Sequence, residues 1–365
     1  MPAEPTTPAP PSPPLSHHRA QLGPGGPSVT RLALGTMTFG VETTESEAFA
    51  QLDHYVEQGG TFVDTADVYG AGESERIIGR WLADRGHDHL VVSTKGRFGA
   101  PAGAPGASRR ELRRAVAGSL SRLGLDAVDV YFVHGWDERT PVEDTLDTLT
   151  ALVRAGTIHH VGWSNVTGWQ LQRIVTTARL GGYVVPTIVQ PQYNLLDRGI
   201  ELELLPACLE ESVALTPWSP LAGGWLTGKY RPDSRPTGAT RLGEDPNRGV
   251  EAYDVRNTER TWRVLDVVAG IAEQHGRPPA QVALAWLLGR PGVASVLLGA
   301  RTLGQLEQTL GASDLVLDED ALRALTAVSD PGLPPYPYGM VEDFCEVPHW
   351  QRLGIRPARE AAASD

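Results

Sequence analysis

Apolar positions along this chain switch period repeatedly, from the short unbroken runs of a buried strand to the three-and-four spacing of a helix packed on one face. The run Val29 to Leu34 follows a glycine-rich, hairpin-like start, reads as a short strand, and ends in Gly35-Thr36-Met37-Thr38-Phe39-Gly40. Ser46 to Gln58 is predicted helical. Thr61-Phe62-Val63 is a second strand closed by Asp64, and Glu73 to Leu82 a second helix with Ile77, Ile78 and Trp81 on one side. His89 to Thr94 is a third strand, closed by Lys95. The helix after it has Ser108 at its start and Glu111 three residues on, in capping-box fashion. Its apolar face falls at Leu112, Ala115, Val116, Leu120 and Leu123, and Gly124 supplies the left-handed stop.

The alternation continues. Ala127 to Val133 ends at His134, and Thr140-Pro141 opens a helix with a capping hydroxyl and a proline in its first turn. His159 to Gly162 leads to Ser164-Asn165, Thr187 to Val189 to Gln190, Ala214 to Pro217 to Trp218-Ser219, and Ala294 to Leu298 to Gly299-Ala300-Arg301. Eight strands, most followed by an amphipathic helix, predict an α/β chain with parallel pairing and right-handed crossovers. No GxGxxG follows any strand, and polar residues recur at strand C-terminal ends, where barrel enzymes place their chemistry. The expected architecture is therefore a (β/α)8 TIM barrel with an N-terminal hairpin cap and an extra C-terminal segment.

Composition narrows the classes of function. The 365 residues are 41% hydrophobic and 21% charged, as in a globular protein with a sizeable core, and no apolar run is long enough to span a bilayer. A net charge of −12 argues against a general nucleic-acid or acidic-membrane surface. Cys208 and Cys345 belong to no CxxC pair, which suggests neither a zinc site nor a disulfide framework and favours a reducing, cytoplasmic location. His17-His18 and His159-His160 have no third ligand nearby, so no metal is expected. Residues 1–16 read as a disordered Pro-rich tail, 17–350 as the barrel, and 351–365 as a C-terminal tail.

Four residues at or just beyond the ends of the second, third and fourth strands carry the candidate chemistry: Asp64, Tyr69, Lys95 and His134. A carbonyl that accepts hydride needs a proton at its oxygen, and a phenol of ordinary pKa about 10 is a poor donor unless its surroundings favour the phenolate. An ammonium beside the phenol does so, and a carboxylate paired with the ammonium keeps it charged and in place. Lys95 and Asp64 suit those roles. A histidine across the site can bond the carbonyl oxygen and orient it, and His134 suits that one.

The segments TFVDTADVYG, STKG, YFVHGWD, GWSN, QPQYN, PWSPLAGG and GART, in this order, resemble the aldo-keto reductase superfamily over roughly residues 17 to 350. The resemblance implies a barrel that binds NADP(H) in extended form, with Asp64, Tyr69, Lys95 and His134 as the catalytic tetrad. It also implies Gly35, Thr36 and Met37 at the cofactor, and Ser164, Asn165 and Gln190 on the nicotinamide carboxamide. Trp218 would stack on the ring, with Ser219, Pro220, Leu221 and Gly223 turning around the pyrophosphate and Lys229 closing it. Gly299, Arg301 and Gln305 would form the pocket for the adenosine 2′-phosphate. Where relatives carry an acidic residue and Asn for adenine, this chain has Gln308 and Thr309.

The activity implied is reduction of an aldehyde or ketone, a sugar or secondary-metabolite carbonyl included. The alternative is an NADPH-binding regulatory subunit similar to the potassium-channel β subunits of the same superfamily. Phe39, Trp136 and Tyr193, together with Tyr336 and Tyr338, are expected to wall an apolar substrate pocket. Arg231 to about Asn257 is rich in Pro, Gly and charge, lacks periodicity, and is expected to be a mobile cover that orders over the pyrophosphate when cofactor binds.

Overall fold

Alternation within each strand sorts its side chains into two layers. The computed structural model describes residues 15–86, 89–99, 105–238, 241–244, 249–344, 350 and 355. Eight parallel strands run in sequence order: β1 (Leu32–Gly35), β2 (Phe62–Asp64), β3 (Val91–Gly96), β4 (Val128–Val133), β5 (Ile158–Ser164), β6 (Ile188–Gln190), β7 (Ala214–Leu215) and β8 (Val296–Gly299), with β8 pairing to β1. The remaining seam, between β7 and β8, is closed by Leu215 N–H donating to Gly292 O at 2.8 Å and Leu297 N–H to Pro217 O at 3.0 Å. Ala33, Phe62, Val91, Val130, Phe132, Ile188 and Leu297 fill the interior, whereas Leu34, Val63, Tyr131 and Val133 face the surrounding helices. The chain is a (β/α)8 barrel, as its alternating pattern predicts.

Size matching makes the interior fit. A Cβ on Gly162 of β5 would lie 2.5 Å from the Phe132 ring, so the smallest residue faces one of the largest. The helices α1 (Glu45–Glu57), α2 (Glu73–Arg85), α3 (Arg109–Leu123), α4 (Val142–Arg154) and α5 (Gly168–Gly181) follow β1 to β5 in turn. Helix α3 has the predicted ends: Ser108 accepts from Glu111 N–H, and Gly124 is left-handed with φ 66°. Later helices of the outer layer are α6 (Leu204–Glu211), α7 (Glu259–His275), α8 (Pro279–Leu288), α9 (Leu303–Leu310) and α10 (Glu319–Ser329).

Three local readings are corrected. The run Val29–Leu34 is two elements: Ser28–Thr30 pairs antiparallel with Arg19–Gln21 as the hairpin, and Leu32–Gly35 enters the barrel. Reciprocal bonds between the Thr30 and Thr61 backbone N–H groups and hydroxyls divide them. Leu22 and Val29 of the hairpin pack with the interior side chains and cap the barrel. Pro141 stands at the N-cap of α4 rather than inside the first turn, and the Thr140 hydroxyl donates to Asp137 instead of capping. The aperiodic segment 231–257 contains short helical turns at Arg241–Glu244, Gly249–Glu251 and Tyr253–Arg256, the last held by Tyr253 stacked on Trp225 at 5.6 Å and by an Arg256–Asp197 ion pair. One-turn helices fixed by distant partners leave no period in the sequence.

The tail 1–16 lies outside the described residues but for Leu15 and Ser16, which begin a turn in which Leu15 is buried. Of the tail 351–365 only Ile355 is described, also buried. The C-terminal segment returns to the loop after β6, where Tyr338 Oη donates to Glu203 at 2.7 Å and Trp350 Nε1 to Glu201 O at 2.9 Å. Among the described residues no helix is long and apolar enough to cross a membrane.

Candidate active site

Parallel strands point their C-terminal ends the same way, so residues far apart in sequence meet at one mouth. Asp64 ends β2 and Lys95 is the penultimate residue of β3, both facing inward with side chains 2% and 0% exposed. Lys95 Nζ donates to Asp64 Oδ2 at 2.6 Å, to Thr65 O at 2.7 Å and to Tyr69 Oη at 3.2 Å, which uses all three ammonium hydrogens. Asp64 Oδ1 accepts from Ser93 Oγ at 2.6 Å and Gln190 Nε2 at 3.0 Å. Burial alone would lower the Lys95 pKa, but the Asp64 carboxylate and Tyr69 oxygen hold it above the usual ammonium range.

His134, one residue beyond β4, closes the group. Its ring stands edge-on to Tyr69 with centroids 6.1 Å apart and 79° between planes. Burial first, then the charges of Lys95 and Arg97, push its pKa down to about 3, so the imidazole is neutral across the physiological range. The tetrad read from sequence is brought together: a phenol against a buried ammonium on one side and a neutral imidazole on the other.

From this point a cavity of about 490 Å3 runs across the mouth to β8 and α9. Gly35, Thr36 and Met37 line it, as do Ser164, Asn165 and Gln190. These three polar side chains are already braced: Ser164 Oγ donates to Gln190 O at 2.7 Å, Asn165 Nδ2 to His134 O at 3.0 Å, Trp218 Nε1 to Asn165 Oδ1 at 3.1 Å, and Gln190 Nε2 to Asp64 as above. Trp218, Ser219, Pro220, Leu221, Gly223 and Lys229 continue the wall. Asn165 and Ser219 are held at φ 55° and 51°, left-handed values uncommon for residues with a side chain. Gly299, Arg301, Gln305, Gln308 and Thr309 line the far end, where Gln305 Oε1 accepts from Arg301 N–H at 2.9 Å.

Three acidic groups that the sequence did not single out contact side chains of this wall, and one of them, Glu251, lines it. Glu244 takes both oxygens to Arg301 Nη2 at 2.8 Å, with Glu42 3.3 Å from Arg301 Nε, and Glu251 accepts from the Ser219 hydroxyl. Segment 231–257 therefore does reach the turn it was expected to cover. The proposed substrate walls divide: Phe39 and Tyr193 are fully buried, Tyr193 Oη donating to Glu201 at 2.6 Å, and neither lines the cavity. Trp136 is half-buried beside Trp169, with centroids 5.5 Å apart, and Tyr336 is exposed.

The cavity suits a long, anionic, partly aromatic cofactor. Its volume lies in the range of small-molecule sites, an indole and an amide cluster stand near the tetrad, and Gly223 and Gly224, both at positive φ, let the turn after Ser219 pass close to Glu251 and Lys229, where a Cβ would lie 2.7 Å from Glu251 Oε2 and 2.6 Å from Lys229 Nζ. The chain belongs to the aldo/keto reductase family, whose profile matches residues 31–330. It is 35% identical over 319 residues to the uncharacterized oxidoreductase YrpG of Bacillus subtilis, covering 84% of this chain and 94% of that one. It is also 32% identical over 350 residues to the norsolorinic acid reductase of Emericella nidulans (91% and 87% covered). A probable voltage-gated potassium channel subunit beta of Arabidopsis thaliana is 33% identical over 304 residues (81% and 90%).

Behind the tetrad lies a second buried polar group. Asp67 is 2% exposed, its Oδ1 has no partner, and its pKa is pushed up to about 7 by burial and then by the charge of Glu75, against the opposing charge of Arg122. Glu75 accepts from Thr94 Oγ1 and Arg122 Nε, each at 2.6 Å. A Cβ on Gly96 would lie 2.2 Å from Tyr131 Oη and 3.2 Å from Asp67 Oδ2, so only glycine fits beside Lys95. An unfolded Asp releases its proton near pH 4, whereas folded Asp67 holds it to about 7. Between those values rising pH favours the unfolded chain. Asp67→Asn is therefore expected to gain stability over the parent between pH 5 and pH 8, by on the order of 2 kcal/mol. Urea midpoints at both pH values check this, and an equal difference at the two would contradict it.

Proposed function

We propose that this chain is a cytoplasmic, NADPH-dependent reductase of aldehydes or ketones. The observation that carries the reading is the contact of Tyr69 Oη with an ammonium that is itself fully paired, 3.2 Å away, opposite a neutral His134. Nicotinamide, when bound, supplies the hydride. His134 hydrogen-bonds the substrate oxygen and orients the carbonyl, and Tyr69 gives its proton to that oxygen as charge develops there. The resulting phenolate is stabilised by Lys95, whose charge Asp64 maintains. The indole of Trp218 offers a face for the ring, and Ser164, Asn165 and Gln190 offer donors and acceptors for its carboxamide.

Arg301 supports the preference for NADPH, since a guanidinium suits a 2′-phosphate and Thr302 caps a helix N-terminus beside it. Such a phosphate would take the place of the Glu244 carboxylate. Similarity to a potassium channel β subunit favours a second reading, a cofactor-binding regulatory subunit, in which NADPH binds tightly and carbonyl turnover is negligible.

Tyr69→Phe is expected to keep NADPH binding and lower kcat/KM for carbonyl reduction by roughly 10²–10⁴. Steady-state assays beside a cofactor titration check this, and undiminished turnover would remove Tyr69 from its role. Arg301→Ala is expected to weaken NADPH about tenfold or more while changing NADH little, because only NADPH carries the phosphate. Fluorescence titration of both cofactors measures it, and equal losses would make Arg301 a structural residue.

A further inference from the structure

We propose that Arg97 is a substrate-specificity residue, and that the carbonyl compounds this protein reduces carry a carboxylate a short chain away from the reacting carbon. The inference rests on the proposed reductase activity and adds the substrate class to it. Arg97 follows Gly96, the last residue of β3, and so stands two residues past Lys95 on the rim of the same mouth. Its guanidinium lies over the Phe98 ring, 5.0 Å from the centroid, and Phe98 in turn packs on His134 with centroids 4.8 Å apart. The cation is thus fixed, through one ring, to the group that orients the carbonyl.

Its hydrogen bonding is incomplete. Nη2 donates to Trp136 O at 2.6 Å, and among the described residues Nε is enclosed without a partner and Arg97 pairs with no carboxylate. Asp137, close enough for Arg97 to help hold its carboxyl below the usual range, spends its oxygens on Ala107 N–H at 2.8 Å, Thr140 Oγ1 at 2.7 Å and Arg139 N–H at 3.2 Å. The other charges here are already cancelled: Lys95 is paired with Asp64 and His134 is neutral. Arg97 is thus a cation next to the tetrad that Asp137, ion-paired instead with Arg139 at 3.8 Å, meets only at longer range. One guanidinium balances one negative charge, and its planar fork matches a carboxylate.

The backbone places it there under strain. Arg97 has φ 144°, a value that side-chain-bearing residues rarely adopt, and its carbonyl accepts from Gly106 N–H at 2.7 Å, which ties the base of the loop. Phe98 has the space to lie over the end of β4 because Gly135 carries no side chain: a Cβ there would be 3.2 Å from the ring. Strain of this kind persists where the surroundings over-determine it, and it collects at binding sites.

The test compares 5-oxopentanoate with pentanal, a chain-matched pair, using the purified full chain and NADPH. The parent is expected to favour the oxo acid in kcat/KM by about tenfold or more, as a charge-assisted hydrogen bond provides. That preference should fall as salt rises. Arg97→Gln is expected to lower the ratio of the two substrates by the same factor, and Arg97→Lys to keep part of it. Pentanoate titrated into the cofactor complex gives a readout free of turnover, with binding in the parent and loss in Arg97→Gln. If the parent shows no preference for the oxo acid, or Arg97→Gln reduces both substrates equally, the proposal is overturned. If no carbonyl is reduced but pentanoate binds in an Arg97-dependent way, the carboxylate site stands and the reductase reading fails. Neither turnover nor pentanoate binding overturns both.

Discussion

The mouth of this barrel is organised by the buried pair of Lys95 and Asp64. Two charges taken out of water are costly, and they persist only where their partners are nearly complete. Here every ammonium hydrogen has an acceptor, and the carboxylate takes three donors, from Lys95, Ser93 and Gln190. Those partners come from β2, β3 and β6, so the pair can exist only in a closed barrel. Losing either partner would strand the other charge, a loss of about 3–5 kcal/mol in proteins generally. The same pair sets the electrostatics of the site: it holds an ammonium against the Tyr69 oxygen and contributes to keeping His134 neutral.

Regularity and strain are divided along the barrel. The interior and the helix layer are built from well-packed apolar side chains, whereas several side-chain-bearing residues with positive φ gather beyond the strand ends: Ala71, Arg97, Asn165, Ser219 and Ala222. Three of them border the proposed chemistry. Asn165 ties the His134 carbonyl to the Trp218 indole, Ser219 begins the glycine turn, and Arg97 projects a cation toward the imidazole's neighbour. A barrel holds such loops well, because each is anchored at both ends in a rigid layer.

Much of this was legible in the sequence. Strand ends were marked by polar residues after apolar runs, and Asp64, Lys95, His134 and Gln190 stand at or just beyond the ends so marked. The first strand was misread because Val29 and Leu32 are equally apolar, yet one fills the barrel interior and the other faces the helices. Phe39 and Tyr193 illustrate a related limit: an aromatic near a strand end can point into the core as readily as into a cleft. Asp67, Glu75 and Arg122 gave no signal, since α2 and α3 must pack before Arg122 reaches Glu75. The carboxylates of Glu42 and Glu244 on Arg301 were equally hidden, because they come from loops far away in sequence.

The central claim is that the tetrad protonates a carbonyl as hydride arrives from a nicotinamide in the adjoining cavity. It is tested most directly by isotope transfer, with NADPH deuterated at the transferable C4 position, an aldehyde substrate, and mass spectrometry of the alcohol. The account predicts one deuterium on the carbinol carbon for each NADPH consumed. Alcohol formed without the label, or cofactor bound in the cavity with no label transferred to any carbonyl offered, would contradict it.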